Sequence, residues 1–341
     1  MTTPNAARST GPQPLVSVVT PFYNTAPYIA ECIESILAQD YANFEFILSD
    51  NCSDDGSREI IEPYAARDAR IKYIRHDAFV NQVQNYNRAL RIISEESRYC
   101  KVVQADDWIF PECLSRMVAV AETSSSVALI GAYGQIEERV YFFGLPLGAS
   151  VFSGNEVCRK FWTENIYVFG SPTCVMYRSD LVRARHDFYD EACPLEDADI
   201  CFELLKDRDF GFVHQVLTFT RRQAGSIHDE LGQYDQRPLL ALMTLSRHGQ
   251  AHLEHDKFAR LREVLTRAYH RSLGTNLLRA VGRSKGFWRF HRQGMNCFNF
   301  QPSWIRVAGY AVGATLDLAL NPKSTAESIW QRLRRRNGSA A

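Results

Sequence analysis

The stretch KVVQADDWIFPECL, residues 101–114, decides how the chain is read. The apolar pair Val102-Val103 leads into two adjacent carboxylates, Asp106 and Asp107, and Pro111 stands where the first turn of a helix is expected. A buried strand, a polar turn and a helix, in that order, make one step of an alternating α/β chain. The carboxylates have two readings. Acids near a helix start complement its dipole. With a helix starting at Pro111, however, a cap belongs near Phe110, and Asp106 comes too early. Neighbouring carboxylates at a strand end repel unless a cation or a proton lies between them, and a hard divalent ion takes carboxylate and phosphate oxygens together.

Working outward, the same step repeats. Residues 15–20 (LVSVVT) read as a strand broken by Pro21, and residues 26–39 carry Ile29, Cys32, Ile33, Ile36 and Leu37 at helical spacing. Strands are expected over 44–48, 71–74, 99–104 and 127–132, and helices over 57–66, 85–93 and 111–121, with Pro63 ending the first of these early. Such alternation predicts a mainly parallel sheet with helices on both faces, and ligands then sit beyond the carboxyl ends of the strands. Three polar segments fall at those ends: TPFYN, SDNCSDDG and QADDW. In the second, Ser53 to Gly56 suit a turn. Asp50, at the last strand position, faces the crevice and could accept from a nucleobase N–H or ribose hydroxyls.

Later residues are less regular. Residues 196–206 read as a helix with an acidic first turn, residues 210–220 as one or two strands, and the chain beyond Arg237 as helical. Formal net charge is zero, yet residues 238–341 hold 17 Lys+Arg against 5 Asp+Glu. That asymmetry suggests separate partners for the two parts. The nine cysteines form no C-x-x-C pair and several lie in apolar runs, which fits small buried hydrophobes in a reducing cytosol. The first residues lack an apolar signal core and read as a disordered lead over 1–13. The longest span candidate, VAGYAVGATLDLAL, has 14 residues and contains Asp317, short of the roughly 18 needed to cross a bilayer.

Taken in order, VSVVTPFYN, PYIAECIESILAQ, FEFILSDNCSDDGS, NYNRAL and VVQADDWIFPECL resemble the family 2 glycosyltransferases of GT-A fold, in particular cytosolic bacterial members, over about residues 14–225. The resemblance implies an α/β GT-A domain over 14–237 followed by a helical basic region over 238–341. It implies that Pro21, Tyr23 and Asn24 line the nucleotide pocket, and that Asp50, with Asn51 beside it, recognises the base. The D-x-D metal motif falls on Gln104, Ala105 and Asp106. Gln104 replaces the first aspartate, which leaves Asp106 as the ligand for Mg2+ or Mn2+ and Asp107 as either a second ligand or a cap. The E-D motif falls on Glu196 and Asp197, with Asp197 as the catalytic base. Where the family has a downstream histidine the chain has Gln223, so Arg221 or Arg222 is expected to offset the diphosphate charge, with His228 a further ligand candidate and His214 a core residue. Residues 165–180 match the region that meets the acceptor, or form a plain turn before a strand.

The implied reaction is inverting transfer from a nucleoside-diphosphate sugar donor to a glycan or lipid-linked acceptor in envelope or extracellular glycan assembly. Two other readings stand beside it. One is an inactive scaffold that binds nucleotide or sugar; the other is a nucleotidyltransferase, although TPFYNTAPY lacks a glycine- and lysine-rich phosphate loop. Between Lys257 and Arg292 there are ten Lys+Arg and one acid, Glu263. Those basic helices suit either an anionic membrane surface on the cytoplasmic side or a solvated appendage, and no motif supports nucleic acid as a partner.

Overall fold

The computed structural model describes residues 13–222, 234–279 and 281–320. The chain divides into two compact units, Met1–Ala224 with Ala251–Leu253, and Gly225–Gln250 with Glu254–Ala341. The sequence readings placed on residues 1–12, on Gln223 and His228, and on the part of the basic region beyond residue 320 lie outside the described residues.

The first unit opens β1 (Val16–Phe22), α1 (Ile29–Leu37), β2 (Phe44–Asp50), α2 (Ser57–Arg67), β3 (Ile71–Arg75), α3 (Gln82–Leu90) and β4 (Tyr99–Val102). It continues through β5 (Trp108–Ile109), α4 (Cys113–Ala121), β6 (Val127–Ile136), β7 (Arg139–Tyr141), β8 (Val151–Ser153) and α5 (Gly154–Glu164). β9 (Val175–Arg178), α6 (Ser179–Arg183), α7 (Glu196–Leu204) and β10 (Asp209–Thr220) complete it. One sheet runs in the order β3-β2-β1-β4-β9-β6-β10-β5, with β7 on β6 and β8 on β10. β3, β2, β1 and β4 are parallel, β9 is antiparallel to both β4 and β6, and β10 is parallel to β6. All seven residues of β1 and of β2 are buried, so these strands read as continuous apolar runs and not as alternating ones. Ile29, Cys32, Ile33 and Ile36 of α1 form the buried stripe that covers them.

Two prolines act differently from the sequence expectation. Pro21 does not break β1, which pairs Pro21 with Ser49 and Phe22 with Asp50. Phe22 O accepts from Asn51 N–H on the β2 side, and Val19 O accepts from Val103 N–H on the β4 side. Pro21 shares the β4-facing parity of Val19, and there the ladder has already ended, so its missing N–H costs no bond. Pro63 does not end α2, which continues to Arg67. Pro63 is exposed, so the Glu59 carbonyl that loses its N–H partner can be solvated. The helix expected from Pro111 starts at Cys113, after a turn.

The second unit contains α8 (Gln236–His252) apart from its last two residues, α9 (His255–Leu277), α10 (Lys285–Cys297) and α11 (Trp304–Leu320). Gly274 lets α11 approach α9, because a side chain there would meet the Val307 carbonyl at 2.6 Å. The buried His291 ring hydrogen-bonds the Tyr269 hydroxyl at 3.0 Å and the Tyr234 carbonyl at 2.8 Å. The His270 Nε2 accepts from Ser303 N–H at the start of α11. Among the described residues no helix is long and apolar enough to cross a membrane.

Candidate active site

Strand direction gathers the polar segments. β1, β2 and β4 end at one rim, and the two antiparallel steps through β9 turn the carboxyl ends of β6 and β10 to the same rim. Residues 23–26, 51–57, 104–107 and 221–222 therefore open together at the usual ligand edge of an α/β sheet.

At the first two strand ends the loops clasp one another. Asn24, at φ 51°, receives Asp54 N–H on its side-chain oxygen at 3.0 Å and donates its amide to Asp54 Oδ1 at 2.9 Å. Asn24 N–H reaches Ser53 Oγ, Thr25 N–H reaches Ser57 Oγ, and Ala26 N–H reaches Asp55. The Ser53–Gly56 turn is thus also a brace for the loop after β1. Asp50 is fully buried; its carboxylate accepts from Ser53 N–H at 2.7 Å and the Tyr73 hydroxyl at 2.8 Å, with Arg75 at 3.9 Å. Both ends of the Asn51 amide are engaged by the Val80 backbone. Pro21 is buried in β1 behind the rim. Tyr23 stays 46% exposed and meets the edge of Phe79, itself 60% exposed, at 4.8 Å between ring centroids. Phe79 had no signal in the sequence, because it belongs to neither a strand end nor a motif.

The QADD loop is anchored from two directions. Gln104 N–H donates to Thr173 Oγ1 at 3.0 Å, and the fully buried Lys101 ammonium donates to the Thr173 carbonyl. Asp107 is buried and accepts from Arg221 N–H at 3.0 Å and from the Thr220 hydroxyl at 3.5 Å. Burial, with the Asp106 charge adding to it, pushes the Asp107 carboxyl up to about 7. Neither aspartate caps α4, whose N-terminal flank is Glu112. The Arg221 guanidinium donates to the Asp106 carbonyl at 3.2 Å, pairs with Glu31 and lies over Tyr28 at 5.2 Å. Arg222 is exposed, and its N–H donates to Glu137 at 2.7 Å.

These donors can be tested against a divalent ion. Among the described residues no group of three or more His, Cys, Asp or Glu side chains could cage a metal alone. Asp106 is half-buried at the rim beside a like charge that a cation would offset. One or two carboxylates, completed by diphosphate oxygens and water, is how magnesium-type ions are commonly held. The residues fit an ion shared with a phosphate-bearing ligand.

Asp197 lies in the first turn of α7 with Glu196 and Asp199. Burial raises its carboxyl above the ordinary range, and burial together with the Asp197 charge raises Glu196. Its neighbours include Tyr167 and Tyr189, whose hydroxyls its charge holds protonated beyond the effect of their burial. Tyr86 supplies the bridge. Its hydroxyl lies beside Gln104 and in the field of Asp106, and its ring meets Tyr189 at 5.9 Å. Tyr86 and Tyr189 thus link the Asp106 and Asp197 sides, while Asp50 ends β2, two strands from β4 in the sheet, with its carboxylate taken up by Ser53, Tyr73 and Arg75. His214 is hydrogen-bonded to Tyr133 at 3.1 Å and to the Ala149 carbonyl at 2.7 Å, but it is only half-buried and so is not the core residue expected. The turn at Gly170, φ 70°, leads into a 3-10 segment Pro172–Cys174 that carries Thr173.

This mostly parallel sheet with its helices has the GT-A fold. Residues 17–185 match the description Glycosyl transferase family 2, which makes this part of the chain a glycosyltransferase domain of that family. Glycosyltransferase GlyG of Streptococcus pneumoniae is 28% identical over 226 residues, covering 62% of this chain and 72% of that protein. The fold is similar to S. aureus TarS 1-349, with TM-score 0.58 and 19% identity over 83% of this chain and 80% of that one; a complex of it with UDP-GlcNAc aligns at 0.54. It is also similar to the mannosyltransferase PcManGT of Pyrobaculum calidifontis, in complex with GDP-Man and Mn2+, at TM-score 0.54 and 14% identity over 92% of this chain and 89% of that one.

Proposed function

We propose that the chain transfers a sugar, with inversion, from a nucleoside diphosphate to an acceptor hydroxyl on a glycan or a lipid-linked glycan of the cell envelope. The observation that supports this reading most is the Tyr86 bridge, which relates Gln104 and Asp106 on one side to the Asp197 flank on the other. The TarS complex with UDP-GlcNAc and the PcManGT complex with GDP-Man and Mn2+ support a nucleotide-sugar donor on this fold.

In this reading the base stacks on Tyr23 and Phe79 and is recognised near Asp50. The diphosphate lies against Gln104 and Asp106, with the Arg221 guanidinium beside them and Arg222 at the exposed edge. Mg2+ or Mn2+ held by Asp106 would supply charge to stabilise the departing diphosphate. Asp197 takes the proton from the attacking hydroxyl, and burial makes it a stronger base than a solvated carboxylate. The 165–180 segment, with its 3-10 turn, faces the acceptor.

A thermal-shift panel of UDP-, GDP- and dTDP-sugars, with and without Mn2+, tests the donor half. Asp197→Asn tests the base: it should keep the donor-induced shift and lose on the order of 10^2 to 10^4 in transfer rate. An Asn variant that transfers at the original rate removes Asp197 from the role.

A further inference from the structure

The α11 helix has an apolar face turned to water. Ile305 is 88% exposed, Val312 59%, Leu316 55% and Leu320 77%, with Trp304 54% exposed at the first turn. At one residue per 100° of helix, Ile305, Val312 and Leu316 fall along one line. Val307, fully buried, and Tyr310, which packs at Gly274 of α9, lie on the other side. The helix therefore packs by its inner side alone and leaves an outer apolar stripe of the kind that marks an interaction surface.

The flank of this stripe is basic. Arg267 and Arg271 of α9, with Thr275 and Tyr310, line an open groove of about 620 Å³ whose floor includes Val264 and Ala268. Among the described residues no ion pair reaches Arg271 or Arg306, and Arg267 has only Glu263, at 3.5 Å. Residues 238–341 hold 17 Lys+Arg against 5 Asp+Glu. A second copy docking through the same face across a twofold axis would set this basic flank against itself. An anionic bilayer complements both halves, acyl chains against the stripe and phosphates against the arginines.

We propose that α11 lies in the headgroup region of an anionic lipid surface, outer stripe inward, with the Arg267–Arg271 groove holding a lipid phosphate. Because no described helix is long and apolar enough to span, the contact is peripheral. It stands independently of the sugar-transfer reading.

Flotation of the full chain with vesicles of phosphatidylcholine alone, and of phosphatidylcholine mixed with phosphatidylglycerol, tests it. The unaltered chain should float with the mixed vesicles, less so as salt is raised. The double variant Ile305→Ser with Val312→Ser changes only exposed positions and should lower partitioning on the order of tenfold or more. Arg267→Gln with Arg271→Gln should remove most of the preference for phosphatidylglycerol, again on the order of tenfold. Thermal shifts with UDP, measured without vesicles, should be the same for all three proteins, which separates this test from the donor site. A chain that stays with the soluble fraction overturns the proposal. So does a serine variant that floats undiminished, since the contact would then lie elsewhere. A dimer in sedimentation velocity that the serine variant abolishes would assign the stripe to a second copy instead.

Discussion

The backbone N–H of Arg221 donates to the Asp107 carboxylate at 3.0 Å across 114 positions of sequence. With it, the residue that follows β10 becomes a wall of the QADD loop, and β5 pairing antiparallel with β10 extends the same join. From the other side Thr173 holds Gln104 N–H and, through its carbonyl, the buried Lys101. The loop is held in shape by protein groups alone, which is what a site needs if donor binding is not to bear the cost of ordering it.

Thr173→Val takes away one hydroxyl and leaves the Gln104 N–H without its partner beside the buried Thr173 site. The expected loss is about 1 to 3 kcal/mol in urea unfolding, with weaker UDP binding, whereas Thr173→Ser should remain within a few tenths. A valine variant as stable as the original would show that the hydroxyl does not hold the loop.

The raised carboxyl of Asp197 sets a pH dependence. A base must be ionised, so kcat/KM should climb with pH through this raised value, with its acid limb above the pH of about 4 expected of a solvated carboxylate. The stability effect has the opposite sign. The folded state binds the proton more tightly than the unfolded chain, so the contribution is fully present below the unfolded value of about 4 and is lost as pH rises through the folded one. At pH 8 Asp197→Asn, which cannot ionise, should unfold at the same or a higher urea concentration, gaining roughly 1 kcal/mol while losing activity. Loss of both stability and activity would mark Asp197 as structural.

What could be read from the sequence was whatever depends on neighbours in the chain. The β-branched runs of β1 and β2, the α1 stripe and the acids at strand ends are local patterns, and they led to the sheet and to its ligand rim. Pro21 was misread because whether a proline breaks a strand depends on which side its missing N–H faces, and that is fixed by β4, about 80 positions away. Thr173, Tyr86 and Phe79 had no pattern of their own. Their importance comes from contacts with Gln104, Tyr189 and Tyr23 across long separations. Arg221 was expected near the diphosphate for its charge, whereas its N–H has a further structural task on Asp107.

Two exposed rings with no packing reason to face water suggest a stacking platform. Tyr23→Ala and Phe79→Ala should each weaken UDP binding by about 1 to 3 kcal/mol, the usual worth of stacking a base on an aromatic ring. Because the platform would grip the nucleotide equally before and during transfer, the loss should appear in the donor KM, with kcat at saturating donor nearly unchanged. A fall in kcat alone would place the pair away from the base.

If Asp106 shares its ion with the diphosphate, neither partner should hold that ion well alone. Calorimetric titration of the free chain with Mn2+ should give weak binding, and titration in the presence of UDP should give binding tighter by roughly tenfold to a hundredfold. Linkage requires the same factor in reverse: Mn2+ must tighten UDP by as much, and EDTA must remove the gain. Asp106→Asn should behave with Mn2+ as the original behaves with EDTA, keeping the metal-independent nucleotide affinity and losing only the increment due to the ion. Among the described residues no group of three or more acidic, histidine or cysteine side chains could cage the ion alone. An Asn variant whose UDP affinity still rises with Mn2+ would therefore place the ion on the diphosphate and Arg221 side of the site, without Asp106 as its ligand.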